Sequence, residues 1–168
     1  MIQTEDVMYI LSSFSKACVE PVGFVKTDAV GTEVRDKNVV SQIVFREELT
    51  EALEGVEEFS HLFVLFWLHE TSDEKRQTLK VRPRGRPDMP LLGLFATRTP
   101  YRPNPIGLTR VKLLKIEGNI LTVQGLDAYD GTPILDVKPF DNWDTTEDFK
   151  VPKWWKQLEK ERANKKEA

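Results

Sequence analysis

Cysteine is almost missing from this chain. Cys18 stands alone, so no internal disulfide can form, and with only His61 and His69 beside it no thiol or imidazole cluster can hold a metal such as zinc. Long apolar stretches are missing too: the longest, Leu62 to Leu68, is seven residues, against about 20 needed to cross a bilayer. Residues 1–15 include Glu5 and Asp6 but neither lysine nor arginine, unlike a secretory signal. Nor is there a Gly-x-Gly-x-x-Gly after a strand, a Walker loop, a His-Glu-x-x-His or a Gly-x-Ser-x-Gly. Membrane-spanning, disulfide-stapled and zinc-finger readings are set aside, and a nucleotide-derived cofactor would have to bind without a Rossmann fingerprint. What is present is 168 residues, 40% hydrophobic and 30% charged, enough apolar mass for one core. The expectation is one soluble, cytosolic domain with short appendages.

The net charge of −3 hides a lopsided distribution. From Lys75 to Lys112 there are ten basic residues and one acid, Asp88, which leaves fourteen basic and twenty-six acidic residues elsewhere. The same window holds six of the ten prolines: Pro83, Pro87, Pro90, Pro100, Pro103 and Pro105. Proline fixes φ and removes an N–H, so this stretch can be neither one long helix nor a set of central strands. It reads as stiff loops presenting Arg82, Arg84, Arg86, Arg98 and Arg102. A solvated basic face is the plain alternative. Dense arginine on a rigid frame favours an anionic partner, because little side-chain freedom is lost on binding, and nucleic acid is the commonest such partner.

Along the chain, Val7, Ile10, Leu11 and Phe14 fall at helical spacing after Thr4, predicting an amphipathic helix over Thr4–Cys18. Val22–Val25 reads as a short strand, 26–38 as a loop, Val39–Phe45 as a β-branched strand, and Glu47–Gly55 as a helical turn closed by glycine. Phe59–His69 is the strongest strand. Both of its faces are apolar through the middle, which predicts burial on both sides. Further strands are expected at Leu92–Thr97, Thr109–Ile116, Ile120–Leu126 and Ile134–Pro139, broken by turns at Asn104-Pro105, Gly118-Asn119 and Asp130-Gly131. Gly118-Asn119 marks a hairpin, since both residues tolerate φ > 0. The tail opens a helix at Pro152 with Trp154, Trp155 and Leu158, and ends in a charged stretch. Many short strands with tight turns predict a mainly β protein, a small β-barrel with peripheral N- and C-terminal helices. The expected division is a helical extension over 1–18, the barrel over 19–143 and a helical tail over 144–168.

Few residues stand out for chemistry. His61 and His69 share a strand face, but eight residues at about 3.3 Å each separate them by roughly 26 Å, so they cannot share a metal. His61 reads as a structural hydrogen-bonder. His69 closes the strand beside Glu70, where side chains leave the core. Two clusters remain, Phe95 to Leu108 and Gly125 to Pro139, in which polar residues sit among glycine and proline at strand ends and can converge on a ligand.

Those clusters carry a family resemblance. Arg82-Pro83 with Gly85, Phe95-Ala-Thr-Arg98, Arg102-Pro-Asn-Pro-Ile-Gly107, Leu126-Asp127 with Asp130-Gly-Thr-Pro133, and Asp136-Val-Lys-Pro139 together resemble the TsaA-like (TrmO) family. Gly55-Val-Glu-Glu-Phe-Ser-His-Leu62 and the strand ending Trp67-Leu-His69 fit the same family, and the likeness covers roughly residues 21 to 142. The resemblance implies a β-barrel methyltransferase that uses S-adenosylmethionine and methylates N6 of the threonylcarbamoyl-adenosine at position 37, beside the tRNA anticodon, and that is typically a homodimer.

By the same likeness, cofactor contacts are expected at Val34, Arg35 and Asp36, at His69 and Glu70, and at Arg98, Leu108, Asp127, Ala128, Tyr129 and Asp130. Val34-Arg35-Asp36 matches loosely a Pro-Arg-Gln element of bacterial members, and Glu70 replaces a glutamine. Asp127 or Asp130 is expected to accept a hydrogen bond from the reacting N6, with Tyr101 or Tyr129 stacking on the base. Arg82, Arg84, Arg86 and Arg102 are expected to hold RNA phosphates. The additional C-terminal domain of longer bacterial members has no counterpart in this sequence. Two alternatives therefore stay open: a non-enzymatic RNA-binding barrel, and a methyltransferase of the same fold with another substrate.

Overall fold

A computed structural model describes residues 18–164. The helix expected over Thr4–Cys18 falls outside them except for Cys18, which is exposed. Six antiparallel strands close a barrel: β1 (Gly23–Lys26), β2 (Val40–Phe45), β3 (His61–Trp67), β6 (Ile106–Glu117), β7 (Ile120–Gln124) and β8 (Pro133–Pro139), in the order β1-β2-β7-β6-β3-β8. Two-residue strands β4 (Lys80–Val81) and β5 (Leu92–Gly93) pair separately and tether the basic loop between them. Helix α1 is a single turn (Asp73–Arg76), and α2 (Lys153–Asn164) ends the described chain. The expected mainly β class and barrel are what the chain adopts.

Period-two alternation explains the closure. Ile43 and Phe45 of β2, Leu62, Val64 and Phe66 of β3, Val111 of β6, Leu121 and Val123 of β7 and Ile134 of β8 all point inward and are buried. Burial of each large aliphatic or aromatic side chain contributes about 1.5–3 kcal/mol. At the β3–β6 seam Phe66 pairs with Gly107. A Cβ at Gly107 would lie 2.3 Å from the Phe66 ring, so only glycine fits opposite that aromatic.

Three local expectations are corrected. The second face of β3, His61, Phe63, Leu65 and Trp67, is only half-buried, because a barrel has one interior and this face is covered only in places, by Phe140 against His61 and Phe63 and by Arg76 over Trp67. The strand expected at Leu92–Thr97 stops at Gly93. Leu94–Ala96 turns instead as a 3-10 helix, closed by the Thr97 hydroxyl donating to the Leu94 carbonyl at 2.8 Å. In the β6–β7 hairpin only Gly118 takes positive φ (57°). Asn119 serves differently: its amide donates to the Phe45 carbonyl at 2.6 Å and its own carbonyl accepts from Phe45 N at 2.9 Å, tying the hairpin to β2.

Candidate cofactor and nucleic-acid site

Antiparallel order decides which loops meet. Lys26 pairs with Gln42, Val40 with Gln124, Trp67 with Ile106, and Phe24 with Pro133. The end of β1, the start of β2, the end of β3, the start of β6, the end of β7 and the start of β8 therefore lie at one end of the barrel. Loops 27–39, 68–105 and 125–132 all leave from that end. Every candidate site residue lies on these loops except Leu108, which is in β6.

Hydrogen bonds fasten the three loops together. Thr27 N donates to Asp130 Oδ1 at 3.0 Å, Lys37 Nζ to the Gly125 carbonyl at 3.0 Å, and Gly131 N to the Val25 carbonyl at 2.9 Å. Leu68 N donates to the Pro105 carbonyl at 2.7 Å. Two buried threonines complete the arrangement. Thr109, on the inward face of β6, donates its hydroxyl to Asp127 Oδ1, and Thr132 Oγ1 lies 3.3 Å from His69 Nδ1. Each holds an exposed polar side chain from beneath. Asp127 Oδ2 has no hydrogen-bond partner among the described residues, so the carboxylate is oriented through one oxygen and open through the other. Asp130 is likewise bonded through one oxygen, beside Gly131 at φ 72°.

The other candidates divide by exposure. Val34 and Ala128 are buried at 4% exposure each, so only their backbones can face a ligand. Arg35, Glu70 and Arg98 are exposed and have no side-chain hydrogen bond among the described residues; Asp36 is exposed and accepts from Asn38 N at 2.9 Å. Tyr129 is half-buried and accepts from Thr132 N through its carbonyl. Tyr101 is half-buried, with Lys75 Nζ 5.3 Å from its ring centre. Leu108 points outward from β6, on the face opposite Thr109, and is 59% exposed. Its side chain is thus separated from the cluster built on Thr109.

The arginines divide as well. Arg82 donates to the Met89 carbonyl, and Arg102 donates to the Thr97 carbonyl at 3.0 Å and lies over Phe95. Arg86 binds both Asp88 and Glu161. Those two carboxylates hold its guanidinium protonated beyond the ordinary arginine range, and Arg86 in turn holds both carboxyls below theirs. Arg84 and Arg98 are exposed and have no side-chain partner among the described residues. Arg84 has φ 56°, a conformation L residues with side chains rarely adopt. Of two surface hollows, one lined by Glu57, Phe59, Ser60 and Leu113 lies apart from the three loops, and one along Lys153, Lys156, Lys160 and Glu161 meets loop 68–105 through the Glu161–Arg86 pair.

Comparison with known proteins meets this geometry. The family model described as the tRNA-methyltransferase O N-terminal domain matches residues 29–144, which include all three loops. The chain belongs to this family. A probable S-adenosyl-L-methionine-binding protein of Methanocaldococcus jannaschii is 46% identical over 112 residues, 66% of this chain and 88% of its own length. A mouse tRNA (adenine(37)-N6)-methyltransferase is 46% identical over 89 residues, 53% of this chain but 20% of the mouse protein. The crystal structure of TrmO from Pseudomonas aeruginosa superposes with a TM-score of 0.66 at 28% identity, covering 83% of this chain and 62% of that one. The chain thus spans under two thirds of that structure and one fifth of the mouse enzyme.

Sequence reasoning missed Thr109, Thr132 and Lys37 within the family domain, and Thr27 just before it. Thr109 and Thr132 carry a signal in retrospect. Thr109 is a polar residue at an inward position of β6, Thr132 directly precedes β8 within the Asp130-Gly-Thr-Pro133 motif, and a buried hydroxyl requires a partner.

Proposed function

We propose that this protein is an S-adenosylmethionine-dependent tRNA methyltransferase acting on N6 of threonylcarbamoyl-adenosine at position 37, beside the anticodon. The observation that carries the reading is the meeting of three loops at one barrel end, with His69 and Asp127 each held by a buried threonine. Membership of the family supports it, as do the names of the methanogen and mouse relatives. A cytoplasmic location suits a tRNA substrate, and no helix among the described residues is long and apolar enough to cross a membrane.

The residues present suit the cofactor. Its cationic sulfonium, amino group and ribose hydroxyls require acceptors, which Glu70, Asp130 and the open oxygen of Asp127 offer. Its carboxylate requires a donor, which Arg98 offers. Arg35 and Asp36 border the same loops, and the backbones at Val34 and Ala128 can approach a base edge. When bound, S-adenosylmethionine supplies an already activated methyl group, so the protein's task is alignment more than covalent catalysis. Positioning of this kind contributes up to about 7–11 kcal/mol in the best intramolecular cases.

The lone pair of N6 in a carbamoylated adenosine is delocalised, and its proton must leave as the new bond forms. Asp127, oriented by Thr109, is the acceptor for that proton, with Asp130 as the neighbouring carboxylate. Tyr101 and Tyr129 offer ring faces to an unstacked base, and an anticodon loop presents such a base without a duplex to melt. Arg84 leads the phosphate contacts, supported by Arg82 and Arg102. Affinity should then fall with salt at a log–log slope of about −0.7 per contacted phosphate.

A homodimer forms part of the proposal. Ile106 and Leu108 are exposed beside the half-buried Leu65 and Trp67 on the outer face of β3, an apolar strip that a second copy would cover. Calorimetry with S-adenosylmethionine, followed by transfer of labelled methyl to a tRNA transcript carrying threonylcarbamoyl-adenosine, tests the reading. Donor uptake and labelled RNA are expected. RNA binding without donor uptake would leave a non-enzymatic RNA-binding barrel, and donor uptake with no label in this tRNA would indicate another substrate.

A further inference from the structure

Helix α2 lies beyond residues 29–144, the span of the family domain, yet it is fastened to that domain. Trp154, Leu158 and Glu161 share one face at helical spacing. Leu158 is buried, while Trp154 and Glu161 are half-buried. Pro152 opens the helix, its carbonyl accepting from Trp155 N at 3.0 Å. Glu161 accepts from both terminal nitrogens of Arg86, whose Nε and Nη2 also bind Asp88 at 3.0 and 2.5 Å. Four hydrogen bonds occupy a group that has five N–H donors, so Arg86 has little left for a phosphate.

The opposite face carries Lys153, Lys156 and Lys160, at i, i+3 and i+7. All three are exposed, and none has a carboxylate within ion-pair distance among the described residues. Outside the 75–112 window acids outnumber bases by twenty-six to fourteen, whereas residues 153–164 of α2 carry four bases against two acids. The helix is mounted on the same loop that presents Arg84 in its left-handed conformation.

From this arrangement we infer that the lysine face of α2 is a docking surface for the phosphodiester backbone of RNA, and that Arg86 is the strut that mounts it. The inference rests on the tRNA reading above and extends it to a segment outside the family domain. Charge complementarity selects the occupant: three cations along one helix edge match a polyanion, and the acidic remainder of the chain would repel RNA from other faces.

The test is fluorescence anisotropy with a tRNA transcript across a series of potassium chloride concentrations. Lys153→Gln, Lys156→Gln and Lys160→Gln are combined in one variant, and Glu161→Gln is made separately. The triple variant is expected to bind at least about tenfold more weakly at low salt. Its log–log salt slope should be shallower by about 2, three contacts at about 0.7 each. Glu161→Gln keeps the lysines but loosens their mount, and should weaken binding with a smaller loss of slope. Affinity for S-adenosylmethionine, read by calorimetry, stays unchanged in both and reports an intact fold. If the triple variant keeps wild-type affinity and slope, or loses affinity with no change in slope, the lysine face is not an RNA surface and the tRNA reading stands. If the wild-type protein shows no salt-dependent RNA binding, the tRNA reading itself falls.

Discussion

Loop 125–132 and the basic loop between β4 and β5 present polar groups in opposite ways. The first is eight residues long and bonded to other parts of the chain at Gly125, Asp127, Asp130, Gly131 and Thr132. Its Leu126 and Ala128 are buried. The second is stiffened by proline, and its internal bonds are short-range, such as Arg82 to the Met89 carbonyl. Among the described residues its one long-range side-chain tie is Arg86 to Glu161 of the terminal helix. A group that must meet a reacting atom needs its position held from several directions. A group that meets a phosphate needs charge and reach, and tolerates more freedom.

The difference can be broken most sharply at Asp127. Asp127→Asn keeps the shape but removes the charge proposed to accept the proton, and should slow single-turnover methyl transfer at saturating donor by about 10²-fold or more. Thr109→Val should act through Asp127 alone. Turnover is expected to fall about tenfold, equivalent to about 1.4 kcal/mol, with KM for tRNA unchanged and activity regained by Thr109→Ser. A drop in KM-linked affinity instead would make Thr109 a general structural residue. At the barrel seam, Gly107→Ala forces a methyl into the Phe66 ring and should cost about 1–3 kcal/mol of stability, read as a lower Tm.

The smallest effect concerns the tail. Arg86 lowers the folded-state pKa of Asp88 and Glu161, so their contribution to holding α2 is present above the ordinary carboxylate range and lost as pH falls through the lowered values. The fluorescence of Trp154 and Trp155 should therefore hold steady from neutral pH to about 4 and change only below it. A change centred near neutral pH would assign the tail's attachment to other groups.

Much of the barrel was legible because its signals are local. Alternation marked β2, β3, β7 and β8 to within two residues or so, and Gly118 marked the hairpin. Leu92–Thr97 misled because apolar residues after Gly93 resemble a strand, whereas the Thr97 hydroxyl closes a turn back onto Leu94. Candidate residues on the three loops came from motif likeness. Their convergence at one barrel end depends on strand order, which no local pattern encodes. The support beneath them was hidden for the same reason: Thr109 and Asp127 are eighteen residues apart, and His69 and Thr132 sixty-three. Arg86 read as a phosphate ligand from its neighbours, because its carboxylate partner Glu161 lies seventy-five residues away.

The central claim is that loops gathered at one end of the barrel bring a methyl donor and an anticodon-loop adenosine together. Mass spectrometry of nucleosides from a tRNA incubated with the protein and S-adenosylmethionine tests it most directly. One added methyl on threonylcarbamoyl-adenosine at position 37, lost with Asp127→Asn, is the predicted result. An unmodified nucleoside with the wild-type protein and bound donor, or full methylation by the Asp127→Asn variant, would contradict the account.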